Sequence, residues 1–223
     1  PQRALANNSA CYTRTPDMGL FMHEWKALFD SKSGERGIFN REAAKKKVAE
    51  NGRRDPEHDF GTNPCSEIIL RPYQFCNLTE VVIRATDSED DLKRKVKVAA
   101  TLGTYQSTLV DIKYLRKIWK QNTEEERLLG VSLTGIMDNK LTIKADEELL
   151  RSMREVSVVT NKELAKKLKI PQSAATTCIK PSGTVSQLVD SASGIHTRHS
   201  EYYIRTVRGL SLIHISEPTR QWS

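Results

Sequence analysis

Apolar residues return at three- and four-residue intervals in several stretches of the chain, and in shorter stretches they cluster as brief β-branched runs. Leu20, Phe21, Trp25, Leu28 and Phe29 predict a helix with one apolar face, capped by Thr15, opened by Pro16 and stopped at Ser33-Gly34. Before it, residues 4–12 read as a short buried segment. After it, residues 34–40 form a two-glycine loop, a connector or a ligand loop, ending at a cap, Asn40, for a helix over 41–50 that Asn51-Gly52 closes. Asp87-Ser88-Glu89 opens a helix running to about 108. Residues 111–121 carry Ile112, Leu115, Ile118 and Trp119 on one side as core. Residues 146–168 form a long amphipathic helix with Leu149, Leu150, Met153, Val156, Leu164 and Leu168 inward. Strands are expected at 68–70, 79–84, 128–136 and 174–179. Strand and helix alternate without a clear linker, so the class is α/β.

At 223 residues and 38% hydrophobic content the chain can bury a core. The net charge of +7, from 35 Lys+Arg against 28 Asp+Glu, is spread over helices with interleaved acids, which reads as solvated faces and not as a nucleic-acid surface. There is no apolar run long enough to span a membrane and no export signal. The four cysteines, Cys11, Cys65, Cys76 and Cys178, lack the spacing of a zinc site and the density of a disulfide scaffold, which points to a reducing cytoplasm.

The most concentrated chemistry lies in Asn63-Pro64-Cys65-Ser66-Glu67, an amide, a thiol and a carboxylate within five residues, with a second thiol at Cys76. Pro64 removes a backbone donor, so residues 63–67 form a constrained loop feeding the strand at 68–70. If that loop is extended, Cys65 and Glu67 project the same way. A buried structural thiol beside an Asn-Pro turn would account for the composition alone.

A second constellation, Lys180-Pro181-Ser182-Gly183-Thr184-Val185-Ser186, follows the strand at 174–179 and precedes a short helix from Gln187. Strand, small-residue turn and helix start make an anion site if the hydroxyls of Ser182, Thr184 and Ser186 converge; an ordinary capped turn is the plainer alternative. His196 and His199 have no carboxylate or cysteine partner at ligand spacing, so they read as solvent-facing or hydrogen-bonded and no metal is expected.

The Asn-x-Cys-x-Glu run with its following cysteine resembles the active-site segment of the catalytic (large) chain of ribonucleotide reductases. The stretch from Ser193 to Arg205 is similar to the adenosylcobalamin-dependent branch. The resemblance covers residues 1–209. It implies part, roughly the later half, of a ten-stranded α/β barrel with a central finger loop. It further implies that Cys65 becomes the thiyl radical that attacks the ribose and that Glu67 is the general base. Asn63 would hold the ribose hydroxyls, and Cys76 would supply reducing equivalents with an upstream cysteine. The loop of Pro181, Ser182, Gly183, Thr184 and Ser186 would hold substrate phosphates. The implied cofactor is adenosylcobalamin, with no binding residues assignable here, and the implied partners are a ribonucleotide, read as a ribonucleoside triphosphate, and a thioredoxin-like reductant. The iron-dependent reductase large subunit and a non-catalytic nucleotide-binding module are the alternatives. Residues 210–223 break the composition and the resemblance, and are similar to an in-frame translation of a sequencing adapter. They are expected to be a non-native tail.

Overall fold

The computed structural model describes residues 9–32, 37–144 and 146–204; the expected tail at 210–223 lies outside these. The first strand, β1 (Ser9–Tyr12), alternates exposed and half-buried positions and is not the buried segment its composition suggests; residues 4–8 lie outside the described residues. Helix α1 (Met18–Ser31) is capped by Asp17, whose carboxylate accepts from the Gly19 and Leu20 N–H groups, and not by Thr15. A carboxylate at that position meets both the orphan donors and the positive end of the helix. Its apolar face stays outside the core, with Leu20, Trp25 and Phe29 at 54%, 46% and 64% exposure.

The stretch expected as a plain loop forms β2 (Gly37–Asn40), paired in parallel with β1. Asn40 caps α2 (Arg41–Asn51) by accepting from Ala43, and Gly52, at φ +63°, closes it. Ala44 and Val48 of α2 bury Phe60 in a small core. Two short antiparallel strands, β3 (Gly61–Thr62) and β4 (Ile69–Leu70), then frame the thiol loop between them.

The larger core is built on β5 (Asn77–Val82) and β6 (Leu129–Thr134), which pair in parallel. Between them, α3 (Glu89–Gln106) starts with a reciprocal capping box of Ser88 and Asp91. Next, α4 (Lys117–Glu126) begins six residues after the predicted start, because Tyr114 adopts φ +67°, a left-handed conformation that a helix cannot pass through. Trp119 is half-buried against Phe75, and α4 turns Asn122, Thr123 and Glu126 inward instead of an apolar stripe.

After β6 come a single 3-10 turn (Ile136–Asp138), α5 (Lys140–Ile143) and α6 (Glu147–Leu168), the last capped by Asp146. Helices α3 and α6 cover one face of the β5–β6 sheet with Leu92, Val96, Leu149 and Met153 against Val81, Ile83, Val131 and Leu133. Leu150, expected inward, is 41% exposed. The buried face of α6 turns polar beyond Met153, where Asn161 bridges Thr104 Oγ1 at 3.0 Å and Ser173 Oγ at 2.9 Å. The expected strand at 174–179 is an irregular third row beside β6 with one parallel bridge, Val131 to Thr177. The adjacent carbonyls of Ala175 and Thr176 accept from Leu129 and Val131, donors two residues apart, and this mismatch breaks the regular ladder. The chain then turns into the one-turn helix α7 (Val185–Leu188).

Candidate active site

Side chains alternate across a sheet, and here the alternation sorts chemistry from core. On β5 and β6 the odd-numbered Val81, Ile83, Val131 and Leu133 face the helices. The even-numbered set opens on the other face, where a Cβ at Gly130 would lie 2.6 Å from Leu78 Cδ2, 2.9 Å from Cys178 Sγ and 3.2 Å from Cys76 Sγ. Ser132 Oγ accepts from the Lys180 N–H at 2.9 Å, and the Ser182 hydroxyl donates to the Glu80 carboxylate. Thus Cys76, Glu80, Cys178, Lys180 and Ser182 share one side of the sheet.

The thiol loop comes to the same place. Asn63 accepts at its carbonyl from the Ser66 N–H at 3.0 Å, and Ser66 takes φ +62°, so residues 63–66 form a tight turn and not the extended strand that would align Cys65 with Glu67. Cys65 is therefore exposed at the turn, while the Glu67 side chain is 7% exposed. Both functional atoms of the Asn63 amide are engaged within the loop: Nδ2 donates to Glu67 Oε1 at 2.5 Å and Oδ1 accepts from the Ile68 N–H at 3.1 Å. The Lys180 ammonium reaches the same Oε1 at 2.7 Å. Glu67 Oε2 is buried with no hydrogen-bond partner.

Electrostatics follow from this crowding. Burial, then the negative field of Cys178 and Glu67, pushes the Cys76 thiol up to about 12. Burial, and then Glu67, pushes Cys178 up to about 12 as well. Burial by itself pulls the Lys180 pKa down, but the hydrogen bond and charge of Glu67 outweigh it and hold the ammonium above the ordinary lysine value. Burial raises Glu80, with Lys180 opposing. Cys76 and Cys178 are free thiols. They sit on either side of β6, and two strand spacings of roughly 4.8 Å each exceed the ~7 Å that a disulfide spans between backbones.

The segment that delivers Cys76 is clamped from behind. Arg54, 5% exposed, pairs with Glu126 at 2.8 Å and donates to the Ile69 carbonyl at 2.9 Å. Gln74 donates to Glu126, and Asn122 donates to the Pro72 carbonyl at 2.9 Å. The inward polar face of α4 therefore fixes residues 69–76.

The second constellation is only partly arranged as its sequence suggests. Ser182 and Ser186 are buried while Gly183 and Thr184 are exposed, so the three hydroxyls do not converge on one open face. Ser182 is turned to Glu80, and the Ser186 N–H donates to the Ser182 carbonyl at 3.0 Å. Pro181 is exposed, and its carbonyl accepts from Ser193 Oγ at 2.8 Å. His196 and His199 are exposed, His199 edge-on to Tyr203.

Cys178, Lys180 and Glu80 are the site members that motif reading misses. The signal was present as parity: Cys76, Leu78 and Glu80, then Gly130 and Ser132, then Cys178, Lys180 and Ser182 each step by two.

The thiol environments predict an ordered alkylation. At pH 8, Cys76 and Cys178 should react with iodoacetamide at least ~100-fold more slowly than a model thiol, because a pKa near 12 leaves roughly one thiolate in 10⁴. Peptide mapping of the alkylated chain checks this; equal labelling of Cys65 and Cys76 would contradict the burial described.

The fold is like that of a B-12 dependent (class II) ribonucleotide reductase, with a TM-score of 0.53 and 19% identity over 84% of this chain and 34% of that one. It is also like the class Id ribonucleotide reductase alpha subunit of Actinobacillus ureae, with a TM-score of 0.59 and 16% identity over 88% of this chain and 44% of that one. No protein-family model matches. The match in sequence places the chain among the ribonucleotide reductase catalytic chains, and the fold agrees with it. In sequence it is 30% identical over 215 residues to the adenosylcobalamin-dependent ribonucleoside-triphosphate reductase of Lacticaseibacillus paracasei, a match covering 82% of this chain. The chain spans 28% of that relative's length. Among the described residues no helix is long and apolar enough to cross a membrane.

Proposed function

We propose that the chain contributes the thiol loop and part of the barrel to an adenosylcobalamin-dependent enzyme that reduces ribonucleoside triphosphates to deoxyribonucleotides in the cytoplasm. The observation that carries this reading is the Glu67 carboxylate, with one oxygen held by Asn63 and Lys180 and the other buried and unpaired, two residues from an exposed thiol. An acid so placed is a general base waiting for a proton donor.

The cofactor, when bound, supplies the radical chemistry. The exposure of Cys65 at the turn suits a group that must approach its sulfur from outside the loop, although none of the residues described is assigned to hold it. The Cys65 sulfur, as a thiyl, takes the hydrogen atom from the ribose 3′ carbon and becomes S–H. Glu67 Oε2 accepts the 3′-hydroxyl proton. Asn63, besides bracing the loop, orients the ribose hydroxyls with its second amide hydrogen. Cys76, with a cysteine from elsewhere in the full protein, gives up two electrons and ends in a disulfide as the 2′-hydroxyl leaves as water, and a thioredoxin-like protein restores the thiols. The loop of Pro181, Ser182, Gly183, Thr184 and Ser186 holds the phosphates through its exposed part, Gly183 and Thr184.

The test is deoxynucleotide formation by a full-length chain containing this segment. Product that requires adenosylcobalamin and prefers triphosphates over diphosphates supports the reading; product that instead requires an iron-containing partner subunit favours the iron-dependent branch.

A further inference from the structure

We infer that Lys180 is a positioning residue for Glu67, an inference that rests on the reductase reading above. A carboxylate acting as a base must offer one chosen oxygen, and a symmetric carboxylate has no intrinsic preference between its two. Here the preference is imposed from two elements. The amide of Asn63 comes from the thiol loop and the ammonium of Lys180 from the row beside β6, and both end on Oε1, at 2.5 and 2.7 Å. Oε2 is left buried and unpartnered, so it is the oxygen available to the substrate proton. An unpaired buried carboxylate oxygen is costly, and a cation on its neighbour offsets part of that cost and fixes the group.

Lys180 is itself fixed. Its backbone N–H donates to Ser132 Oγ at 2.9 Å, and its carbonyl lies 2.6 Å from where a Cβ on Gly194 would stand, so the 194 segment closes over it and leaves that position to glycine at φ +54°. The side chain is 25% exposed, which leaves little room for alternative rotamers. Proton transfer from the ribose 3′-hydroxyl then breaks that O–H bond, forms Oε2–H and neutralises Glu67, while Lys180 keeps its proton throughout. Because Lys180 immediately precedes the Pro181–Ser186 loop, it ties the base to the segment assigned to the phosphates.

The test is a double-mutant cycle on kcat in the full-length reductase chain. Lys180→Met should lower kcat ~10–100-fold with KM changed less than about three-fold, and Lys180→Arg should restore most of the loss. In a Glu67→Gln background, Lys180→Met should cost no more than about two-fold, since a residue that acts through Glu67 has nothing left to act on. An equal loss in both backgrounds, or a rise in KM at unchanged kcat, overturns the inference. Lys180→Gln, which keeps a donor without the charge, serves where Met fails to fold and should fall between Met and Arg. The wider reading is judged separately by Cys65→Ser: loss of 3′-hydrogen release there, combined with an additive Lys180 cycle, would sink the positioning role and leave the reductase reading standing.

Discussion

Cys65→Ser in a full-length chain is expected to abolish release of tritium from the ribose 3′ position, while Cys76→Ser is expected to keep that release and lose deoxynucleotide formation. The two thiols occupy different environments, and the difference matches the two kinds of chemistry. Cys65 lies exposed on a turn beside Glu67, where its sulfur can meet both an outside radical source and a ribose. Serine there replaces a weak S–H bond by a stronger O–H bond, so the hydrogen-atom shuttle stops and the residual rate should drop below detection. Cys76 is half-buried at the mouth of β5 with its thiol pushed up to about 12. A group held so firmly as a thiol is a hydrogen and electron donor in place, and removing it leaves the first abstraction untouched. The stranded ribose radical should then collapse with loss of free base. Tritium counting and base analysis on the two variants check this; tritium release by Cys65→Ser, or sustained normal turnover by Cys76→Ser, would reverse the roles.

What could be read from residues alone was the local chemistry of most helix ends and turns. Asn40, Ser88, Asp146 and Gly52 all mark helix termini because capping is decided by a few neighbouring atoms. The thiol loop was legible for the same reason, since Pro64 and its neighbours set a turn by themselves. The start of α4 was not, because the positive φ of Tyr114, a fully exposed residue, has no residue signature. Of the residues expected inward on α6 only Leu150 is exposed, but the buried Asn161 was missed, because its place depends on Thr104 and Ser173 across the core. The arrangement of the second loop was not legible, since a run of hydroxyls does not say which are turned inward, and Ser182 is claimed by a glutamate 102 positions away. Lys180 was legible only as the start of the second constellation, because the role proposed for it depends on Glu67, which the fold brings to it from far along the chain. Reductases of two classes share this fold, so the fold alone does not choose a branch.

Arg54→Met is expected to destabilise the chain by about 3–5 kcal/mol, the loss typical when one partner of a buried ion pair is removed. Arg54 and Glu126 are 5% and 6% exposed, and neither can recover its partner's charge from solvent. Glu126 would be left with Gln74, a neutral donor, and with Arg71, whose Nη1 stands 3.7 Å away and is already paired with Glu125 at 3.0 Å. The Ile69 carbonyl, which closes the thiol loop's outgoing strand, would lose its donor as well. Replacing both partners, Arg54→Met with Glu126→Leu, should recover at least half of the lost stability, because an apolar pair carries no uncompensated charge. It should not restore the placement of Cys76, since Gln74 and Ile69 still lack their anchors. Urea denaturation of the two variants and the parent measures the first effect and the alkylation rate of Cys76 the second. A single variant within about 1 kcal/mol of the parent would show that the clamp on residues 69–76 is held elsewhere.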